Sequence, residues 1–233
     1  MHLSRSGLRT DIFLIVLFAF LTSPMAAQEQ KPATPSKPAD SAQAKTDHDA
    51  LPPLPADAHV DQTIQINGGT LKYTATVGTL PVFGEDGKKT ADVVYTAYTA
   101  EGRDRPVTFA LNGGPGAASV YLNLGAIGPK RVAFGEEGDS PSDPAALSDN
   151  PGTWLDLSDL VFIDPVGTGF SRSYLRPDET AKAFYRTEND IQYLSRVIYD
   201  WLLKNGRLTA KKYLVGESYG GYRVPRLTHY LQS

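Results

Sequence analysis

The 233-residue sequence has no cysteine, which excludes a disulfide framework and any thiolate metal site, and leaves the redox compartment to be read from targeting signals. Surplus positive charge is missing as well. Its 23 Lys and Arg against 26 Asp and Glu give a formal net charge of -3, and the basic residues are scattered. Nothing here could release counterions from a nucleic acid, so that class of partner is excluded. A membrane span is lacking too: the apolar stretch Ile12 to Leu21 is ten residues, against roughly 20 needed to cross a bilayer core. Histidine is scarce, with four in the whole chain, and this limits where a general base could come from.

What is present begins with an N-terminal address. Arg5 and Arg9 precede the apolar stretch, and Pro24-Met25-Ala26-Ala27 ends in small residues before Gln28. Residues 1–27 therefore read as a secretory signal peptide, which predicts export to the periplasm or beyond and no stable membrane span once it is removed. Residues 28–60 are rich in Pro, Ala, Lys and Asp and poor in large apolar side chains, so they read as a disordered linker. Asp47-His48-Asp49 in that tract reads as solvated charge, not a metal site. The remainder, 61–233, is long enough for one sizeable core and shows no internal repeat.

Within that domain Ile64, Ile66, Leu71, Tyr73 and Ala75 alternate across Asn67-Gly68-Gly69, the pattern of a hairpin. Val93 to Tyr98 and Pro106 to Leu111 are further β-prone runs. Leu160 to Ile163 and Tyr213 to Val215 are short and continuously apolar, as strands covered on both faces are. Between them, residues 188–204 put Ile191, Leu194, Ile198, Trp201 and Leu202 on one helical face, with Thr187 and Asp190 spaced as a capping box and Asn205-Gly206 as the stop. Strand, helix, strand, turn and helix in this order predict an α/β fold with a parallel sheet.

Three motifs follow strands in this scheme. Gly216-Glu217-Ser218-Tyr219-Gly220 is a G-x-S-x-G sequence between a strand and a helix-compatible stretch. That context predicts a nucleophile elbow, with Ser218 lifted into solvent at a helix N-terminus where the dipole favours a developing anion. The competing reading is a Ser that only caps a helix. Asn112-Gly113-Gly114-Pro115-Gly116 follows the Pro106 to Leu111 run, and a Gly-rich loop there lets backbone N–H groups approach an oxyanion. A phosphate loop is excluded, because no Gly-Lys-Ser/Thr follows and Pro115 removes an N–H. Asp164-Pro165-Val166-Gly167-Thr168-Gly169-Phe170-Ser171 completes the set. Ligands of open α/β sheets lie outside the carboxyl ends of strands, so all three motifs should meet on one rim.

In this order, LNGGPG, Gly128-Pro129, DPVGTGFS and GESYGGYRVPRL resemble the serine carboxypeptidases of the α/β-hydrolase fold, whose patterns run W-L-N-G-G-P-G-C-S-S, D-x-P-V-x-x-G-F-S and G-E-S-Y-A-G-x-Y-x-P. The resemblance covers about Asp92 to Leu231. It implies that Ser218 is the nucleophile of an acyl-enzyme and that the Gly114 and Tyr219 amides form the oxyanion hole. It further implies that Asn112, Gly113 and Glu217 hold the terminal carboxylate of a peptide substrate, with no metal or other cofactor. The chain departs from the patterns at Ala110, where the family has Trp, at Ala117, where it has Cys, and in an Asp164 loop one residue shorter. Ala126 stands where a second carboxylate-binding Glu is found, which implies a weaker proton-shared clamp.

The family orders its triad Ser, then Asp or Glu, then His. The fifteen residues after Ser218 hold one histidine, His229, and no acid. The chain is therefore expected to be the N-terminal part of a longer enzyme, an incomplete α/β-hydrolase that is inactive alone. An esterase or aminopeptidase on the same fold, or a hydrolase-like module that only binds, are the alternatives.

Overall fold

The computed structural model describes residues 52–102, 104–132 and 146–233. The signal-peptide segment, residues 28–51 of the linker and with them Asp47-His48-Asp49 lie outside the described residues. Among the described residues no helix is long and apolar enough to cross a membrane, and no three His, Cys, Asp or Glu side chains are grouped to hold a metal ion.

The chain opens with an antiparallel meander: β1 (Ala58–Ile66), β2 (Gly69–Phe83) and β3 (Lys89–Ala100). Asn67 and Gly68 link the first two with φ of 51° and 76°, the paired left-handed geometry that a two-residue hairpin turn requires. β4 (Val107–Leu111) follows. After a turn of π-helix at Leu122–Ile127 come the short antiparallel pair β5 (Lys130–Val132) and β6 (Leu147–Asp149). β7 (Asp159–Ile163), β8 (Arg172–Ser173), α1 (Pro177–Phe184), α2 (Thr187–Lys204), β9 (Lys212–Gly216) and α3 (Tyr219–Gln232) complete the order. The main sheet runs β1-β2-β3-β7-β4-β9, with β8 added beside β3. β7, β4 and β9 are mutually parallel, and β3 joins them antiparallel through Tyr95 opposite Ile163.

Alternation along β4 decides what each face buries. Val107, Phe109 and Leu111 point into a cluster with Tyr95, Val161, Ile163 and the apolar faces of the helices, centred on Trp201. Ala110 points the other way, with Leu160, Phe162, Tyr98, Leu122 and Leu155. Phe109 and Tyr95 both meet the Trp201 ring edge-on, at centroid distances of 5.4 and 6.4 Å. At the starting ends of the parallel strands, the buried Asp159 carboxylate accepts from Arg105 Nε (2.8 Å), Arg207 Nη1 (2.6 Å) and the Ala100 amide (3.1 Å). This anchor ties β3, β7 and the loops before β4 and β9 together, at the end of the sheet away from the Gly-rich turns.

Two sequence expectations need correction. Thr187 does not cap α2: Arg186 precedes the helix with no side-chain cap, and Asp190 turns inward to a guanidinium instead of back to an N-terminal amide. Regular structure also reaches into the segment read as a linker up to residue 60. β1 begins at Ala58, and just before it the Asp57 carboxylate accepts from Lys204 Nζ (2.6 Å), Tyr95 Oη (2.9 Å) and the Thr79 amide (3.2 Å). Partial burial works against the ionised form of Asp57, but those bonds hold it below the ordinary carboxylate value.

Candidate active site

The β9–α3 junction is a sharp elbow. Ser218 has φ 56° and ψ -120°, a left-handed backbone that a residue with a Cβ adopts only where the surroundings impose it. The imposition comes from two tight approaches. A Cβ on Gly216 would lie 2.1 Å from the Gly220 carbonyl oxygen, so only glycine lets the strand and the helix start pass each other. A Cβ on Gly113 would lie 2.6 Å from the Tyr219 nitrogen and 2.9 Å from Ser218 Cβ. The Asn112 loop therefore lies directly against the elbow, and Ser218 itself stays exposed.

The parallel register explains why these turns meet. β4 and β9 are adjacent, with Leu111 opposite Gly216, so the residues after both strands emerge side by side, and the Glu217 amide donates to the Leu111 carbonyl at 3.3 Å. Asn112, 1% exposed, is the knot of this corner. Its Nδ2 donates to Glu217 Oε2 at 3.0 Å, and its Oδ1 accepts from the Leu122 amide at 3.0 Å. Its own amide donates to Ser119 Oγ, and its carbonyl accepts from Arg223 Nη1 at 3.0 Å.

The orientation of the Gly-rich loop follows from peptide planarity. In a trans peptide the C=O and the next N–H point in opposite directions. The Gly113 carbonyl accepts from the Ala117 amide at 3.2 Å, which turns the Gly114 N–H away from the loop interior. No acceptor among the described residues takes the Gly114 or the Tyr219 amide. Tyr219 directly follows Ser218 in the first turn of α3, and Gly114 directly follows Gly113, the loop residue packed against the elbow.

The third motif braces the loop from behind. The Ser119 amide donates to Asp164 Oδ1 at 2.8 Å, and the Ser119 hydroxyl donates to the Ile163 carbonyl. Ser171 Oγ donates to the Asp164 carbonyl and accepts from the Val94 amide, each at 2.7 Å. A Cβ on Gly169 would strike the Asp164 carboxylate at 2.1 Å, and burial pushes that carboxyl up, opposed by the Ser119 amide.

Two cavities reach the elbow, one through Tyr219 and the other through Glu217. One, about 320 Å³, is bounded by Gly116, Val166, Tyr185, Tyr193, Tyr219 and Arg223. The other, about 390 Å³ and mainly apolar, is bounded by Val120, Tyr121, Leu124, Ala126, Val132 and Glu217. Residues 217 and 219, the sequence neighbours of Ser218, thus contribute to different hollows. All six residues singled out in the sequence (Ser218, Tyr219, Glu217, Asn112, Gly113 and Gly114) gather at this corner. What sequence reasoning missed is the buried Asp190–Arg223 pair beneath it, Arg223 Nε to Asp190 Oδ2 at 2.7 Å. Its signal was an arginine on the inner stripe of a helix otherwise read only for its glycines.

No histidine among the described residues comes near Ser218. His59 lies on β1, five strands from β9 or about 24 Å at the usual spacing. Its Nδ1 is 2.9 Å from Thr76 Oγ1. His229 is exposed and eleven residues along α3, about 16 Å at 1.5 Å per residue.

Among curated relatives, the pheromone-processing carboxypeptidase KEX1 of Ogataea parapolymorpha is 37% identical over 116 residues, 49% of this chain and 17% of that protein. The serine carboxypeptidase-like 50 protein of Arabidopsis thaliana is 32% identical over 158 residues, 66% of this chain and 33% of that protein. The chain thus spans a third or less of these relatives. Among solved structures, a homoserine O-acetyltransferase from Staphylococcus aureus aligns at 16% identity and TM-score 0.38, covering 68% of this chain and 43% of that one, a likeness too loose to carry an argument. The serine carboxypeptidase family model matches residues 78–233, from the middle of β2 through the elbow to the last residue, and the chain belongs to that family, with its α/β-hydrolase fold.

Proposed function

We propose that this chain carries the nucleophile and oxyanion half of an exported serine carboxypeptidase. Ser218 attacks the carbonyl carbon of the last peptide bond, the Gly114 and Tyr219 amides receive the oxyanion, and the tetrahedral intermediate collapses to an acyl-enzyme as the C-terminal residue leaves. The observation that carries this reading is the strained, exposed Ser218 held against Gly113, next to a loop and a helix start whose Gly114 and Tyr219 amides have no acceptor among the described residues. The departing residue sits on the Glu217 side, where Asn112 already orients the Glu217 carboxyl.

Ala126 borders that same cavity, so the second carboxyl of the family clamp is missing where it would act. A free C-terminal carboxylate there meets one carboxyl group instead of two, and discrimination against blocked C-termini should be shallow. Deprotonation of Ser218 needs a base that the described residues do not bring within reach. We assign that base, and the acid orienting it, to polypeptide beyond the 233 residues, as the short span relative to the relatives suggests.

The test is covalent labelling with a fluorophosphonate. The full-length natural product should label at Ser218 and Ser218→Ala should not, whereas residues 28–233 alone should label slower by a factor of about 10³ or more. Equal labelling of the short chain would overturn the missing-base assignment. Hydrolysis of peptides with free and amidated C-termini then separates the readings: equal turnover of both favours an esterase or endopeptidase on this fold.

A further inference from the structure

The buried guanidinium of Arg223 is not needed by the scheme above, yet it reaches both Asn112 at the base of the Gly-rich loop and Tyr219 next to Ser218. The residue is 2% exposed on the first turns of α3, five residues after the nucleophile. Nε donates to Asp190 Oδ2 at 2.7 Å, and Nη2 reaches Asp190 Oδ1 at a long 3.4 Å. Nη1 donates to the Asn112 carbonyl at 3.0 Å, and the guanidinium lies 5.1 Å from the centre of the Tyr219 ring. It also forms part of the wall of the cavity on the Tyr219 side. In the family pattern quoted above, this position carries tyrosine.

We propose that Arg223 is a positioning residue that sets the oxyanion loop against the elbow, an inference that rests on the Ser218 reading. The Asn112 carbonyl and the Gly113 N–H share one peptide plane, and the Gly113 carbonyl and the Gly114 N–H share the next. Ala117 fixes the second plane and Arg223 fixes the first. With both held, the Gly114 N–H has one direction left to point. Asp190 in turn holds the guanidinium in plane from α2, so helix, elbow and loop are joined through a single planar group with donors at fixed angles. Lysine offers a point charge and cannot serve the Asp190 carboxylate and the Asn112 carbonyl with that geometry.

A bond made only for folding and a bond made for positioning separate under substitution. Replacing a buried ion pair by apolar residues of similar volume often preserves stability. Asp190→Leu with Arg223→Met in the full-length enzyme should therefore keep the melting temperature near the parent while acylation by the fluorophosphonate slows about 10- to 100-fold, with substrate KM changed less than about threefold. Arg223→Lys keeps a cation opposite Asp190 and stays folded where the double variant does not; its acylation should slow by about tenfold. Labelling of either folded variant at the parent rate overturns the proposal while leaving Ser218 as nucleophile. If the parent enzyme itself fails to label at Ser218, the nucleophile reading falls instead, and the two failures cannot be confused.

Discussion

β4 and β9 are adjacent parallel strands of five residues each, and both end in turns that build the site, yet they are held very differently. Every residue of β4 is buried, because β7 and β9 flank it and clusters cover both faces. β9 pairs only with β4 among the described residues, its first two residues are exposed, and Tyr213 is 54% exposed. The Gly-rich loop thus grows from a fully buried strand and the Ser218 elbow from one with an open edge. Precision at Ser218 cannot come from its own strand. It comes from steric contact with the neighbouring loop, through Gly113, and with the helix that follows, through Gly216.

If that division of labour is right, the largest effects belong to the two glycines. Gly216→Ala puts a methyl group 2.1 Å from backbone oxygen, and Gly113→Ala puts one 2.6 Å from backbone nitrogen, where no side chain can swing aside. Either should lower Ser218 acylation by at least about 100-fold, measured as fluorophosphonate labelling per folded molecule in the longer enzyme proposed above. Parent-like labelling by Gly113→Ala would mean that the loop and the elbow are not in the contact described.

The strands themselves come next. Phe109→Ala on β4 removes a fully buried ring packed edge-on to Trp201 and should cost about 3–5 kcal/mol, enough to unfold much of the protein. Tyr213→Ala on β9 should stay within about 0.5 kcal/mol. Denaturant midpoints of the two variants check the contrast, and a Tyr213→Ala loss approaching that of Phe109→Ala would show that β9 is covered by something beyond the described residues.

The same contrast marks what was legible in the sequence. Elbow, Gly-rich loop and buried strands were readable because each rests on local rules: glycine where Cβ cannot fit, and apolar runs where both faces are covered. The meander was readable from alternation and from Asn67-Gly68. The short elements were not: β5, β6 and β8 run two or three residues, too few to show any period, and α1 was hidden beside the Asp164 loop. Asp190 was misread because its spacing from Thr187 fits a capping box as well as an inward-facing acid. Only the tertiary fold, which brings Arg223 of α3 to that side of α2, decides between them.

The smallest effect tests the brace behind the loop and depends on pH. Burial raises the Asp164 carboxyl above its ordinary value of 3.8, and among the described residues the uncharged Ser119 amide is the partner that opposes this. The folded state therefore binds this proton more readily than the unfolded chain. Its contribution favours folding below the ordinary value and is lost as pH rises through the raised one. Asp164→Asn keeps an oxygen for the Ser119 amide and removes the ionised form, so near pH 7 the variant should match or exceed the parent by about 1 kcal/mol or less. That advantage should shrink as the pH falls toward about 4, as the parent carboxyl increasingly takes up its own proton. Urea midpoints at the two pH values read the difference directly. A variant that loses stability near pH 7 and regains parity near pH 4 would reverse the sign and show that the ionised carboxylate supports the loop, which would place the brace with the charged anchors at the other end of the sheet and not with the steric contacts that shape the elbow.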